Sequence, residues 1–310
     1  MPLDGPFHEG ELAAQALAGA VSHGGGIRNF MPDQHRVFFN RLPWLFAGVL
    51  DSSGWPLATA LTGSPGFATS ADANTLWIDA LPDQADPAAS AFSPGQPIGL
   101  LGLELESRRR NRANGRIATV GTTGFTVAVA QSFGNCAKYI QVRERRPDSV
   151  EQPAKMEELS GLDEAARSLI AGADTFFIAS AVDTQQQHGG VDVSHRGGRP
   201  GFVRIDGDVL TVPDFAGNNY FNTLGNLMQE PRAGLLFINF ATGTTLQLQG
   251  TVEIVWKGPE LAALDGAERL WRFRVARGWR RTNALPLRWS GPDYAPTTLH
   301  TGIWSARVAA

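Results

Sequence analysis

The sequence repeats itself internally, and this repeat constrains the fold more than any other feature. The tripeptide Pro65-Gly66-Phe67 recurs 135 residues later as Pro200-Gly201-Phe202. The apolar run of residues 97–103 recurs at the same offset as residues 232–238. Two separate matches at one offset, in a chain without low-complexity segments, predict two diverged copies of one structural unit.

Two further matches extend the repeat. Residues 114–117 (NGRI) correspond to residues 249–252 (QGTV), again at an offset of 135. Upstream, the strand-like segment that ends at Asp51 corresponds to the one that ends at Asp183, at an offset of 132. Coincidental β-strand composition is the alternative explanation. Since three matches share one offset, the duplication explains the sequence better.

Each copy begins with a short predicted helix, at residues 32–41 and 162–171, and Asp163 is placed to cap the second helix. Short runs rich in β-branched and aromatic residues follow, separated by Gly, Pro, Asn and Asp. They comprise residues 44–50, 75–79, 98–105 and 116–120 in copy one, and 175–181, 209–212, 235–240 and 245–255 in copy two. This spacing predicts a mainly β (α+β) fold of two tandem antiparallel barrels with short helices.

The predicted domains are an N-terminal extension (1–28), barrel copy one (29–145), a charged and proline-containing linker (146–160) and barrel copy two (161–310). Among 310 residues there is one cysteine, so no internal disulfide can form and a reducing cytoplasm is the expected compartment. The net charge of −3 argues against a nucleic-acid partner. No apolar run is long enough to predict a membrane span, and no spacing of metal ligands or P-loop occurs.

Residues 194–202 (SHRGGRPGF) lie between two predicted strands and offer Ser194, His195, Arg196 and Arg199 beside several glycines. Guanidinium groups and close backbone approach suit an anion or the edge of a ring. An ordinary solvated hairpin explains the same residues equally well.

An asparagine cluster follows the next predicted strand, and a helix is predicted to begin near Asn218 or Asn219. The N-terminus of a helix favours an anion, and asparagine amides donate to phosphate oxygens without the repulsion of a carboxylate. Asn222 and Asn226, four residues apart, are expected on one helix face. Helix capping explains one or two asparagines but not four, which favours phosphate binding.

The corresponding stretch of copy one is acidic: Asp83 stands where copy two has Asn218, with Asp79 and Asp86 nearby. We therefore expect only copy two to hold an anion. Copy one has an arginine-rich turn at residues 108–116, which suits either plain solvated charge or a contact with an anionic ligand held by the other copy.

The segment of residues 131–140 (QSFGNCAKYI) contains Cys136, and Lys138 follows two residues later. A nucleophilic cysteine requires a base or a lowered pKa. No partner for such chemistry is evident in the sequence, which favours a half-buried cysteine over a catalytic one.

Together these features resemble the pyridoxamine 5′-phosphate oxidase-like FMN-binding split barrels. Residues 197–240 resemble that family's order of two strands, a phosphate-binding helix and a turn into a long apolar strand. Residues 131–141 resemble a segment that reaches the flavin across a dimer interface. Family members pair two barrels around each flavin. The resemblance therefore implies that this chain is a pseudo-dimer of two split barrels.

The resemblance implies FMN as cofactor and a composite site. Copy two would hold the phosphate, and copy one would reach the ring. The implied cofactor-binding residues are Ser194, Arg196, Asp214, Asn218, Asn219, Asn222 and Asn226 from copy two, with Asn135, Cys136 and Lys138 from copy one. The family's Ser-Arg-Lys phosphate clamp is replaced by asparagines, which puts oxidation of pyridoxamine phosphate itself in doubt.

The expected function is an FMN-dependent oxidoreductase that takes electrons from a reduced donor and acts on a small substrate. No catalytic residue is assigned. The alternatives are a non-catalytic flavin carrier or sensor, and a module that binds haem or another phosphate ligand. No membrane partner is expected, and a homodimer of the two-barrel chain is an open possibility.

Overall fold

The computed structural model describes residues 5–147 and 153–304. The first half begins with helices α1 (Glu9–Leu17) and α2 (Asp33–Arg41). Its strands are β1 (Trp44–Leu50), β2 (Pro56–Thr62), β3 (Ala68–Thr69), β4 (Thr75–Ile78), β5 (Pro97–Glu104), β6 (Arg109–Val120) and β7 (Phe125–Asn135). They form one antiparallel sheet in the order β2-β1-β5-β6-β7-β4-β3. A 3₁₀ turn, Ala89–Ala91, precedes β5.

The second half continues with β8 (Arg145–Arg146), β9 (Lys155–Leu159), α3 (Glu164–Ala171), β10 (Thr175–Ala181), β11 (Val191–Gly197), β12 (Arg204–Asp206), β13 (Val209–Phe215), α4 (Asn222–Gln229), β14 (Arg232–Ile238), β15 (Thr245–Val255), a 3₁₀ helix (Pro259–Ala263), β16 (Ala267–Thr282), β17 (Arg288–Trp289) and α5 (Pro296–Leu299). The second sheet has the order β11-β10-β14-β15-β16-β13-β12, and β9 also pairs with β16.

The duplication predicted from the sequence is present in the topology, because each strand of the first sheet has a counterpart in the same position of the second. Both sheets contain a bulge at the same point, after Asn114 in β6 and after Gln249 in β15. The glycine that follows, Gly115 or Gly250, lies so close to the neighbouring strand that a Cβ atom would overlap a backbone carbonyl. The pairing of β1 with β5 and of β10 with β14 fixes the offset between β1 and β10 at 131 residues, not the 132 read from the sequence.

Each barrel has its own apolar core, and a third cluster lies between the barrels. At its centre the rings of Phe46 and Phe177 stack with centroids 3.6 Å apart. These two residues are counterparts in β1 and β10, so the pseudo-twofold axis passes between them. Close backbone contacts obey the same symmetry, since Gly99 faces the carbonyl of Val191 and Gly234 faces that of Pro56. The two barrels are thus arranged as the two subunits of a dimer would be.

The predicted fold class, two tandem split β-barrels that form a pseudo-dimer, is confirmed. The two leading helices are also confirmed, and Asp163 caps α3 by accepting from the backbone N–H of Ala166 at 2.8 Å. The helix predicted near Asn218 begins later, at Asn222. Parts of the predicted extension (1–4), linker (148–152) and second copy (305–310) lie outside the described residues.

Candidate functional site

A cleft of about 630 Å³, including its open mouth, lies where the two barrels meet. The first barrel contributes Arg110 and Arg112 from β6 and the end of β7 with Cys136 after it. The second barrel contributes β11, the end of β13, the first turn of α4 and Arg269 from β16. It also contributes the loop of residues 216–221 between β13 and α4, called the asparagine loop below. Neither barrel alone forms this cleft, because residues of both line it.

Four guanidinium groups line the cleft, those of Arg110, Arg112, Arg196 and Arg269. A single carboxylate lines it with them, that of Asp214. Two more carboxylates pair with these arginines from outside the lining: Asp192 contacts Arg112 at 2.7 Å and Glu268 contacts Arg269 at 2.7 Å. The guanidiniums stay protonated, so positive charge remains in excess.

Asp214 is held mainly by Arg269. Their closest atoms, Oδ2 and Nη1, lie 2.6 Å apart and both side chains are buried. Arg196 is farther away, with Nη1 3.5 Å from Oδ1. Arg196 therefore keeps part of its donor capacity for a ligand, whereas Arg269 is largely committed to Asp214 and Glu268.

His195 is buried in β11 and its protonation follows from one contact. Arg110 donates to its Nδ1 at 3.1 Å, and a guanidinium has no lone pair to accept in return. Nδ1 is therefore the acceptor and Nε2 carries the hydrogen. Burial, and then the charges of Arg110 and Arg196, lower the pKa of His195 well below its ordinary value, so the ring is neutral.

Several buried donor atoms around the cleft have no partner within the protein. They are Nε2 of His195, Nδ2 of Asn135, Nε of Arg196 and Nε of Arg112. Burying such groups unpaired costs free energy, and orphaned groups in native structures call for a partner. Because all four are donors, acceptor oxygens are the groups that would suit them.

The asparagine loop has an unusual backbone. Asn219 and Phe221 both have a φ of 61°, in the left-handed region, which asparagine tolerates and phenylalanine rarely adopts. Phe221 is the residue just before α4, and the guanidinium of Arg269 lies 4.9 Å from its ring centroid. The loop thus turns sharply and directs the first turn of α4 into the cleft, where helix N–H groups favour an anion.

Helix α1 packs on the outside of α4. Gly10 and Gly225 permit this contact, because a Cβ atom on either would overlap the backbone of the other helix. The Glu11 carboxyl accepts a hydrogen bond from the side chain of Asn222, and His8 bonds to Oδ1 of Asn226 at 2.8 Å. Through these bonds the N-terminal segment fixes the helix that leads into the cleft.

Glu11 and His8 are both neutral in this packing. Burial, with a smaller contribution from the charge of Asp192, raises the pKa of Glu11 to about 8. Burial also lowers the pKa of His8. The two side chains lie 3.6 Å apart, but with these opposite shifts the contact is a polar one rather than an ion pair.

Eight of the ten residues selected from the sequence line the cleft. They are Ser194, Arg196, Asp214, Asn218, Asn219, Asn222, Asn135 and Cys136. The other two do not. Lys138 contacts the carbonyl of Ala216 at 3.4 Å, and the buried amide of Asn226 donates to Ser180 and Asp192 at 3.1 and 3.0 Å.

The cofactor-binding residues implied by the resemblance did not include Arg110, Arg112, His195, Arg269 or Glu11. His195 lies in the loop singled out as a possible anion site, and Arg110 and Arg112 lie in the arginine-rich turn for which a contact with an anion held by the other copy was one of two interpretations. Arg269 and Glu11 had no local signal. They reach the site only because β16 pairs with β13 and because α1 packs on α4.

The cleft therefore has the properties of an oxyanion site: excess positive charge, unpartnered donors and the start of a helix. A phosphate dianion suits this donor set. Phe215, Phe221, Leu101 and Leu224 add apolar surface beside the polar donors, which is the usual mixture in a cofactor site.

A family model described as pyridoxamine 5′-phosphate oxidase matches residues 162–280. The matched range lies in the second barrel, which is therefore similar in sequence to the pyridoxamine 5′-phosphate oxidase family. The matched range contains Ser194, Arg196, the asparagine loop and Arg269, which together form the second barrel's share of the cleft.

Several solved structures are similar to parts of the chain. HupZ of Group A Streptococcus has 14% identity and a TM-score of 0.30, over 38% of this chain and 91% of its own. A FAD-binding protein of Mesorhizobium loti has 13% identity and a TM-score of 0.29, over 41% and 97%. HutZ, the haem storage protein of Vibrio cholerae, has 15% identity and a TM-score of 0.28, over 39% and 95%. No curated protein sequence matches significantly.

At these scores the structural likenesses carry no argument about a ligand. In the part of the chain that the structure describes, no helix has the length and apolar character needed to cross a membrane. Residues 5–147 and 153–304 also contain no group of three or more side chains arranged to hold a metal ion.

Proposed function

We propose that this chain is an FMN-binding flavoprotein whose inter-barrel cleft holds the phosphate of the cofactor, and that it works as an oxidoreductase on a small substrate. The observation that carries this proposal is the convergence of four arginines and four unpartnered donor atoms in one cleft. The family match of the second barrel agrees with it.

The protein's own residues would divide the work. Arg196 and the N–H groups at the start of α4 would bind the phosphate, and neutral His195 would donate to an oxygen from Nε2. Arg112, bonded to Ser194 Oγ at 2.5 Å and to Asp192, would orient the hydroxyl of Ser194 towards the ligand. Bound flavin supplies the electron-transfer chemistry, and the surrounding cations favour its anionic reduced form.

A second cavity of about 790 Å³ adjoins the cleft. It is lined by Glu11, Asn114, Gln131 and Asp192, among others. The two cavities meet at the Arg112–Asp192 ion pair, since Arg112 lines one and Asp192 lines the other. This second cavity offers room for the remainder of a large cofactor or for the substrate.

Haem is less suited to this cleft than a phosphate ligand. An imidazole that coordinates iron through Nε2 must carry its hydrogen on Nδ1. In His195 that nitrogen accepts from Arg110, which leaves the hydrogen on Nε2. The described residues of the cleft include no other histidine.

The electron donor, the alternative function and the compartment are proposed from the sequence. A reduced donor would supply electrons, and a non-catalytic flavin carrier is the alternative. Cys136, free and half-buried, agrees with a reducing cytoplasm as the compartment. We assign it no catalytic role.

The test is to identify and count what the purified chain binds. Mass spectrometry of the released ligand and absorbance of the protein should give FMN at one per chain. Stopped-flow mixing with NADPH and NADH then separates an oxidoreductase, whose flavin is reduced rapidly, from a carrier. A chain that takes up no FMN on titration would refute the proposal.

A further inference from the structure

The pseudo-twofold symmetry gives the cleft a counterpart in the first barrel. The strand registers place Thr59 of β2 where the second barrel has Ser194 of β11. They make Gln247 of β15 the equivalent of Arg112 in β6, and Arg281 of β16 the equivalent of Asn135 in β7. The residues replaced, Ser194, Arg112 and Asn135, all line the cleft.

In this counterpart the three side chains converge on one carboxylate, that of Asp86. Arg281 Nη1 lies 2.6 Å from its Oδ2, and Thr59 Oγ1 donates to the same oxygen at 2.6 Å. Gln247 Nε2 donates to Oδ1 at 3.0 Å. Asp86 is 5% exposed, and its loop between β4 and β5 corresponds to the asparagine loop between β13 and β14.

The neighbouring contact is also conserved in geometry but changed in chemistry. In the second barrel's cleft the amide of Asn218 donates to Asn135 at 3.2 Å. At the counterpart, Asp83 stands in place of Asn218 and pairs with Arg281 at 3.5 Å. The same pair of positions thus joins the loop to the last long strand in both copies.

We propose that Asp86 is an internal anion, whose carboxylate occupies the first barrel's counterpart of the phosphate site and keeps it closed. The counterpart is then a small-oxyanion site that a carboxylate or phosphate from solution can fill once Asp86 is shortened. This inference rests on the proposed function only in treating the inter-barrel cleft as the anion site with which the counterpart is compared.

A buried ion pair that merely supports the fold predicts a different behaviour. Removing Asp86 in either case leaves the buried Arg281 with only the more distant Asp83 as partner, at 3.5 Å, which destabilises a protein. A ligand that binds only the folded state restores stability in proportion to its concentration. An ion pair that only supports the fold leaves a cavity of the size of the lost carboxylate, which formate can fill, whereas a former phosphate site also accepts the larger phosphate. Recovery by phosphate therefore distinguishes an oxyanion site from a simple ion pair.

The experiment compares the thermal unfolding of wild type, D86A and the double variant D86A/R281Q. Each is measured in formate, phosphate and chloride at matched ionic strength. Formate replaces the carboxylate that D86A lacks. We expect formate and phosphate each to raise the Tm of D86A by several degrees more than that of wild type, and to lose this extra effect in the double variant, where the cation is absent.

An equal response of D86A and wild type to phosphate, with or without a response of D86A to formate, would overturn the proposal. If D86A does not fold in chloride, its refolding yield is measured in phosphate, where recovery supports the proposal and no recovery contradicts it. All variants keep the second barrel's cleft unchanged. A failure of the proposed function appears separately, as absence of FMN binding to the wild type.

Discussion

The side-chain amide of Asn218 donates to Oδ1 of Asn135 at 3.2 Å, which joins the asparagine loop of the second barrel to the last strand of the first. Asn135 keeps its own amide nitrogen buried and unpartnered beside the cleft. Because Asn218 of the second barrel holds Oδ1 of Asn135, it orients the free amide nitrogen of Asn135, which belongs to the first barrel. This contact also explains why two barrels in one chain can build a site that neither holds alone.

Asn219 provides the test of charge at the loop. Changing Asn219 to Asp keeps the size and tolerates the left-handed backbone, but adds a negative charge in the cleft. A hydrogen bond to a charged group contributes about 1.5–3 kcal/mol, so FMN affinity should fall about tenfold to hundredfold or more. Isothermal titration with FMN and with riboflavin, which lacks the phosphate, measures the effect.

The matched control is Asn283→Asp, at another asparagine with positive φ, which does not line the cleft. It should leave FMN affinity unchanged, and riboflavin should respond much less than FMN to Asn219→Asp. If Asn219→Asp stays within about threefold of wild type for FMN, the loop does not contact the phosphate.

His195 is predicted to donate from Nε2. In His195→Gln the side-chain amide nitrogen can take the place of Nε2, whereas in His195→Asn it can take only that of Nδ1. We expect His195→Gln to retain FMN affinity within about threefold and His195→Asn to lose about tenfold. Equal losses in both variants would show that the ring serves packing and not donation.

Glu11 links stability to pH. Its pKa is about 8 in the folded chain, against an ordinary value of 4.5. Between these values the folded state holds a proton that the unfolded state has released, so the free energy of unfolding falls as pH rises from about 4.5 to 8. At about 1.4 kcal/mol per pKa unit, the total decrease in the free energy of unfolding over this pH range is several kcal/mol.

Glu11→Gln should remove this pH dependence. The free energy of unfolding of the variant should therefore increase relative to that of wild type as the pH is raised from 5 to 9. Urea unfolding across this range measures the difference, with Glu9→Gln, an exposed neighbour, as control. FMN affinity in wild type should also decline above about pH 8, as the ionised Glu11 faces the start of α4. Parallel pH curves for Glu11→Gln and wild type would contradict this account.

The repeat made the fold predictable, because a duplicated strand pattern reports topology without any long-range contact being known. Residues within the loop and β11 were also predictable, since Ser194, Arg196 and the asparagines are close in sequence. The start of α4 was predicted too early. The loop ends in a left-handed backbone conformation at Phe221, and a phenylalanine in the sequence gives no indication of such a conformation. Arg269 reaches the cleft, and Glu11 reaches Asn222 beside it, by packing between distant segments, which local patterns do not report.

Arg196 gives the most direct measurement of the central claim that the inter-barrel cleft binds a phosphate-bearing flavin. Its partner Asp214 keeps the 2.6 Å contact with Arg269, so Arg196→Gln should leave the fold intact. We predict that wild type binds one FMN per chain, and that the variant loses about tenfold or more in FMN affinity with little change for riboflavin. Undiminished FMN binding by Arg196→Gln, or two FMN per wild-type chain, would contradict the account.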